Sequence, residues 1–125
     1  MSTRMPRLQT EACCDPIAEP APLATDDQER LLAVFKALGD GTRLGIFRLI
    51  AAQSEAICAC EIVDRFDVSQ PTIAHHLKVL RQAGLITVSR RGIWAYYEVD
   101  PRGVELLESA AGQILGAARP AVSVS

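Results

Sequence analysis

The 125-residue chain is 49% hydrophobic and carries a formal net charge of −2, which excludes a disordered chain and leaves a packed globular one. Its length fits one domain with short terminal extensions, small enough to gain from a dimer partner. Its longest apolar runs fall well short of the roughly 20 residues of a membrane span, and the N-terminus has no basic stretch leading into an apolar core, so a cytoplasmic protein with no membrane partner is expected. In that compartment the four cysteines point to metal ligands or redox thiols before structural disulfides.

Residues 1–24 contain Pro6, Pro16, Pro20 and Pro22, which oppose a continuous helix. They read as a mobile arm that carries Cys13 and Cys14. A first helix is expected over Asp27–Leu38, capped by Thr25 or Asp26, with an apolar stripe at Leu31, Val34, Phe35 and Leu38. Gly39-Asp40-Gly41 interrupts it. A second helix follows over Thr42–Ala52, with Leu44, Phe47 and either Ile50 or Leu49 facing inward.

A third helix begins after Cys58 and holds Ile62, Val63 and Phe66; Asp67-Val68-Ser69 forms a turn. Ser69 is a natural N-cap for a fourth helix, and Pro71 is tolerated in its first turn. Ile73, Leu77 and Leu80 give that helix a buried stripe, and Gly84 closes it. Leu85–Ser89 and Ile93–Val99 have strand composition, with Arg90-Arg91-Gly92 turning between them. A last helix starts at Asp100-Pro101 and carries a seam of Val104, Leu107, Ala111, Ile114 and Ala118 until Pro120 ends it. Such a seam packs on the first helix or on a partner's copy of itself. The expected fold is mainly α with a small two-stranded ribbon (α+β). Its divisions are an arm (1–24), a winged helix-turn-helix and dimerisation domain (25–119) and a tail (120–125). Leu31, Phe35, Val104, Leu107, Ala111 and Ile114 are the expected dimer contacts.

Charge is unevenly distributed along this layout. Residues 65–91 carry a net +4, from Arg65, Lys78, Arg81, Arg90 and Arg91 against Asp67, while the other stretches are acidic on balance. A basic block over a two-helix motif is the footprint a DNA binder needs, although a solvated face produces the same charge. A short helix, a three-residue turn and a capped second helix match helix-turn-helix spacing. Ser69 and the first residues of the fourth helix would then meet the groove: Gln70 can pair with adenine, and the Thr72 methyl can touch thymine. At 100° per residue, Pro71, His75, Lys78 and Gln82 lie opposite the buried stripe. Arg90 and Arg91 suit phosphate or minor-groove contact. His75 and His76 diverge by 100° and chelate poorly. His75 is expected on the DNA face and His76 half-buried. With the only two histidines there and no orienting third group, no catalytic residue is assigned and an enzyme is not expected.

Together, Phe35-Lys36-Ala37-Leu38-Gly39-Asp40, Thr42-Arg43-Leu44, Cys58-x-Cys60-Glu61-Ile62, Ser69-Gln70-Pro71-Thr72-Ile73-Ala74-His75-His76-Leu77-Lys78-Val79-Leu80, Gly84-Leu85-Ile86 and Arg91-Gly92-Ile93-Trp94-Ala95-Tyr96-Tyr97 resemble the ArsR/SmtB family of bacterial metal-sensing repressors over residues 28–107. The resemblance implies a homodimeric winged helix. It would hold double-stranded operator DNA without a cofactor and release it when a metal or metalloid ion binds. It also implies a ligand site at the cysteine pair before the third helix. Residues 101–119 contain no histidine, so a zinc site on the last helix is not expected. Arsenite-sensing members often carry Cys-x-Cys-x-x-Cys there, whereas this chain has Val63 at the third position.

Soft thiolates select soft ions, and the resemblance makes As(III) the leading inducer; Sb(III), Cd(II) or Pb(II), the last two through four thiolates, are alternatives, and a redox-sensing thiol repressor is another. Residues i and i+2 face opposite ways in a helix and the same way in an extended chain. A chelating Cys58/Cys60 pair therefore requires an extended backbone, or a helix only just starting, at residue 58. A helix N-terminus would also lower the thiol pKa. Three sulfurs satisfy arsenite, so Cys13 or Cys14 of the arm is the expected third donor.

Overall fold

The computed structural model describes residues 16–116; Cys13, Cys14, Ala118 and Pro120 lie outside them. The elements are α1 (Thr25–Leu38), α2 (Gly41–Ala51), β1 (Ile57–Cys58), α3 (Ala59–Arg65), α4 (Gln70–Gln82), β2 (Ile86–Arg91), β3 (Trp94–Val99) and α5 (Pro101–Leu115). None of these helices is long and apolar enough to cross a membrane.

Helix α1 begins earlier than expected, with Ala24 at the N-cap. Thr25 and Asp26 lie inside the first turn instead of capping it, and Asp26 and Asp27 there complement the positive end of the helix. Asp40 caps α2, its Oδ2 accepting the Arg43 N–H at 2.9 Å. The buried face of α2 is Ile46, Phe47 and Ile50. Leu44, expected inward, is 41% exposed, because it sits about 200° around the helix from Ile46.

The expected two-stranded ribbon is a three-stranded antiparallel sheet in the order β1-β3-β2. Strand β1 pairs Ile57 with Tyr97 and Cys58 with Tyr96. In the hairpin, Arg90 pairs with Ala95 and Arg91 with Trp94, so both arginines belong to β2 and the turn is Gly92-Ile93. Gly92, at φ 66°, supplies the positive φ that a two-residue turn of this hand needs at its first central position.

Ser69 caps α4, accepting the Thr72 N–H at 3.3 Å, and Pro71 sits in the first turn. The helix closes with a paired exit: Gly84 N–H donates to Arg81 O and Leu85 N–H to Leu80 O, with Gly84 in the left-handed region at φ 81°. Asp100 caps α5 by accepting the Arg102 N–H at 3.0 Å. One core runs through all layers, with Val34, Ile46, Ile50, Ile62, Ile73, Leu80, Leu85 and Ile86 buried together. The result is a winged helix-turn-helix: α3 and α4 form the two-helix unit, and β2–β3 the wing.

The first turn of α5 lies directly against the exit of α4. A Cβ at Gly103 would collide with the Gly84 carbonyl oxygen and come 2.9 Å from Leu85 Cα. Both neighbours are backbone, so neither can rotate away. Gly103→Ala is expected to destabilise the fold by about 1–3 kcal/mol, read as a lowered midpoint in urea with unchanged slope. An unaltered midpoint would mean that α5 slides at no cost.

Candidate nucleic-acid interface and thiol site

Helix α4 turns Ile73, His76, Leu77 and Leu80 inward. Ser69, Gln70, Pro71, Thr72, His75, Lys78 and Gln82 are all exposed, on the face expected for a groove reader. The Ser69 and Thr72 hydroxyls are 2.8 Å apart, which fixes the Thr72 rotamer at the start of the helix. Arg90 and Arg91 are exposed on β2 and project to opposite faces of the hairpin because side chains alternate along a strand. The Arg91 guanidinium lies 4.1 Å from the Tyr96 ring centroid, a stacking that holds it in place. Gln70→Ala is expected to relax discrimination at one operator position by ~1–3 kcal/mol. Arg90→Ala should instead weaken all sequences alike and lower the slope of affinity against salt by about one phosphate contact. Filter binding to an operator library at several salt concentrations distinguishes the two; the opposite assignment would reverse the roles.

The cysteine pair sits at the junction of β1 and α3. Cys58 is the last residue of β1 and also the N-cap of α3, with φ −68° and ψ 141°. The extended backbone that chelation requires is therefore present. Glu61 Oε1 accepts the Cys58 N–H at 3.1 Å, and the Cys58 sulfur accepts the Cys60 N–H at 3.4 Å. The two sulfurs lie 2.7 Å apart with both thiols free, Cys58 buried and Cys60 exposed. The expected lowering of the thiol pKa does not hold at Cys60. The hydrogen bond its thiol makes to Cys58, together with desolvation and the charges of Cys58 and Glu61, pushes it above the ordinary value. Val63 is half-buried. Among the described residues no group of three or more His, Cys, Asp and Glu side chains converges as a metal site.

A polar bracket that the residue pattern did not reveal ties α4 to the first two helices. Arg43 Nε donates to Ala37 O at 2.7 Å at the end of α1, and its Nη1 lies 3.3 Å from His76 Nδ1 on α4. His76 Nε2 lies 4.0 Å from Asp40 Oδ2. His76, expected half-buried, is only 9% exposed. The one available signal was Asp40 three residues before Arg43, the spacing of a cap and its partner. Burial holds the His76 pKa below 6.5, with Arg43 and His75 adding to the effect and Asp40 opposing it. The unfolded chain then takes up the proton first. Stability from a neutral His76 is complete above 6.5 and declines as pH falls towards the folded-state value. Thermal melts are expected to show a drop between pH 7.5 and 5.5 that His76→Gln flattens; equal drops in both proteins would move the acid sensitivity elsewhere.

The seam of α5 faces outward. Gly103, Leu106 and Ala110 are its buried side; Val104 and Leu107 are half-buried, Ala111 is exposed, and Ile114 is 55% exposed. On α1, Phe35 is 46% exposed and Leu32 is also exposed. Leu31, expected at a dimer surface, is buried in the protomer's own core, one position around the helix from that apolar face.

Residues 40–88 match the family model described as bacterial regulatory protein, arsR family. An HTH-type transcriptional regulator of Methanocaldococcus jannaschii is 42% identical over 81 residues, which cover 64% of this chain and 90% of that protein. The arsenical resistance operon repressor of Escherichia coli K12 is 40% identical over 70 residues, covering 56% of this chain and 59% of the repressor. The chain thus spans little more than half the length of that curated relative. The solution structure of a homodimeric winged helix-turn-helix DNA-binding domain from Mycobacterium bovis superposes with a TM-score of 0.60 at 21% identity, covering 87% of this chain and 99% of that one.

Proposed function

Because the chain belongs to the ArsR family of bacterial transcriptional regulators, whose fold is that of DNA-binding regulators and not of enzymes, we propose that it is a homodimeric repressor released from its operator by As(III). Helix α4 reads the major groove through Gln70, Thr72 and His75, while Ser69, Lys78, Arg90 and Arg91 engage the backbone. Arsenite bridges the thiolates of Cys58 and Cys60. The observation that carries this reading is the pairing of the Cys60 and Cys58 thiols on an extended cap, one short helix and one turn before the reading helix. The names of arsenical repressors among its relatives support the same inducer. In this reading, residues 1–24 bring Cys13 or Cys14 to the ion as a third sulfur, residues 25–119 carry the reading and dimerising surfaces, and 120–125 form a tail.

The coupling in this reading runs through α3. An ion drawn between the two thiols fixes the start of α3, and α3 sets the turn into α4. A small rotation there alters the separation of the two reading heads, which DNA fixes at about 34 Å. Anaerobic titration of the protein–operator complex with arsenite, antimonite, cadmium, lead and zinc tests the reading, with thiols counted at each point. Release is expected with arsenite, accompanied by loss of at least two reactive thiols per chain. Release by cadmium or lead alone, with four thiols lost, would replace the inducer.

A further inference from the structure

We propose that Arg43 and His76 are positioning residues for operator binding: one guanidinium joins the end of α1 and the start of α2 to α4, and it holds α4 in its reading orientation only while His76 is neutral. This rests on the reading of α4 as the DNA-contacting helix and adds two residues that act through it.

The geometry fixes the position of the proton. Arginine can only donate hydrogen bonds, so His76 Nδ1, 3.3 Å from Arg43 Nη1, accepts and carries no hydrogen. The proton of the neutral ring is then on Nε2, which faces Asp40 Oδ2 at 4.0 Å. That same oxygen accepts the Arg43 N–H at 2.9 Å. The rest of the guanidinium grips α1: Nε donates to Ala37 O at 2.7 Å and Nη2 to Lys36 O at 3.4 Å. These carbonyls belong to the last turn of the helix that exposes Leu32 and Phe35. His76 sits on the buried side of α4 with Ile73, Leu77 and Leu80, and Thr72 and His75 face outward. A roll of α4 that displaces His76 displaces Thr72 and His75 with it.

A second proton on His76 must go to Nδ1. It removes the acceptor and sets N–H against N–H beside a permanent cation. Asp40, whose pKa the Arg43 backbone N–H lowers, then draws the ring the other way. Burial, the largest influence on the ring, also opposes its charge. Among the described residues, the charged groups acting on His76 are Asp40, Arg43 and His75. Helix α1 meets the bracket through backbone carbonyls, and α3 and β2, which also pack on α4, contribute no charge to it. The positioned helix carries the neutral ring. Operator discrimination is therefore complete above the ordinary histidine range and falls as pH drops below it.

The test uses the full chain and an operator duplex selected from a random-sequence library by the unaltered protein at pH 7.5. Affinity for it is compared by anisotropy with affinity for a scrambled duplex of equal length, at pH 7.5 and about pH 5, on either side of the ordinary histidine range. Loss of folded protein lowers both affinities alike and leaves their ratio, whereas a displaced reading helix lowers the ratio. His75 is common to every protein compared. The unaltered protein is expected to lose roughly fivefold in the ratio between the two pH values, at the low end of coupling between sites. His76→Asn places a carboxamide oxygen near the position of Nδ1, accepts at either pH, and should hold the ratio within about twofold at both. His76→Leu removes the acceptor and should give the low ratio at both. Arg43→Lys keeps the charge without the fork that reaches α1 and His76 together, and should lower the ratio roughly fivefold at pH 7.5. A ratio independent of pH in the unaltered protein, or an equal fall in His76→Asn, would overturn the proposal. So would an Arg43→Lys protein that binds both duplexes more weakly in equal proportion. Failure of the unaltered protein to select any duplex over scrambled DNA would overturn the reading helix itself.

Discussion

Cys58→Ser and Cys60→Ser are each expected to abolish arsenite-driven release and leave operator binding within about threefold of the unaltered protein, a difference of ~0.6 kcal/mol. The separation of effects follows from what the two side chains do. Cys58 caps α3 through its sulfur, and serine is among the favoured residues at that position, so the start of the helix survives the exchange. Cys60 is exposed and its side chain carries little of the core. A serine hydroxyl stays protonated at neutral pH and is a hard donor, so a soft ion loses one of the two sulfurs that tie it to the start of α3, and a sulfur from the arm does not restore that tie. The coupling that disappears is expected at roughly 1–3 kcal/mol, and reciprocity requires operator DNA to weaken arsenite binding to the unaltered protein by the same factor. Fluorescence anisotropy of a labelled operator, titrated with arsenite, reads both quantities. Normal release from the Cys58→Ser complex would locate the sensor elsewhere. Cys13→Ser with Cys14→Ser should weaken release without abolishing it, because two sulfurs remain.

The second large effect concerns assembly. Ile114→Glu and Leu107→Glu are expected to give monomers in light scattering at micromolar protein and to lower affinity for a palindromic operator by at least ~100-fold, as joint engagement of two half-sites is lost. Ile114, Leu115, Leu32 and Phe35 are large apolar side chains exposed on α5 and α1, and such side chains grouped on a surface mark an association site. A charge at exposed Ile114 costs little in the monomer and much in a dimer, whereas Leu107 also packs against the protomer core, so its exchange lowers monomer stability as well. Operator binding by a Leu107→Glu monomer at unaltered strength would show that the reading heads act singly.

Much of this fold was legible in the residue pattern, for physical reasons that can be named. Helix α4 announced itself through the spacing of Ile73, Leu77 and Leu80, a serine cap and a closing glycine, because those positions satisfy local geometry alone. Helix α5 was legible as a helix, but the side it buries, Gly103, Leu106 and Ala110, is not the expected seam. Strand β1 was not: two residues carry no periodicity, and Ile57-Cys58 is extended only because β3 lies beside it. The placement of Arg90 and Arg91 on β2 depended on the turn choosing Gly92-Ile93, a matter of one residue of register. Leu44 was expected inward and is exposed, because a stripe on a two-helix elbow faces either the core or a neighbour, and tertiary packing decides which. At the site, the sulfur pair could be read from its spacing, but the rise in the Cys60 pKa could not, since it depends on how closely the two thiols approach.

Cys58 belongs at once to a strand paired with Tyr96 of β3 and to the first turn of α3. It therefore acts as a fulcrum with two lever arms. One arm runs through α3 to the reading helix; the other runs across the sheet to the hairpin that carries Arg90 and Arg91. In the proposed release, a displacement at this residue reaches helix and wing together, so the grip on the groove and the grip on the flanking backbone are expected to loosen as one event and not in sequence.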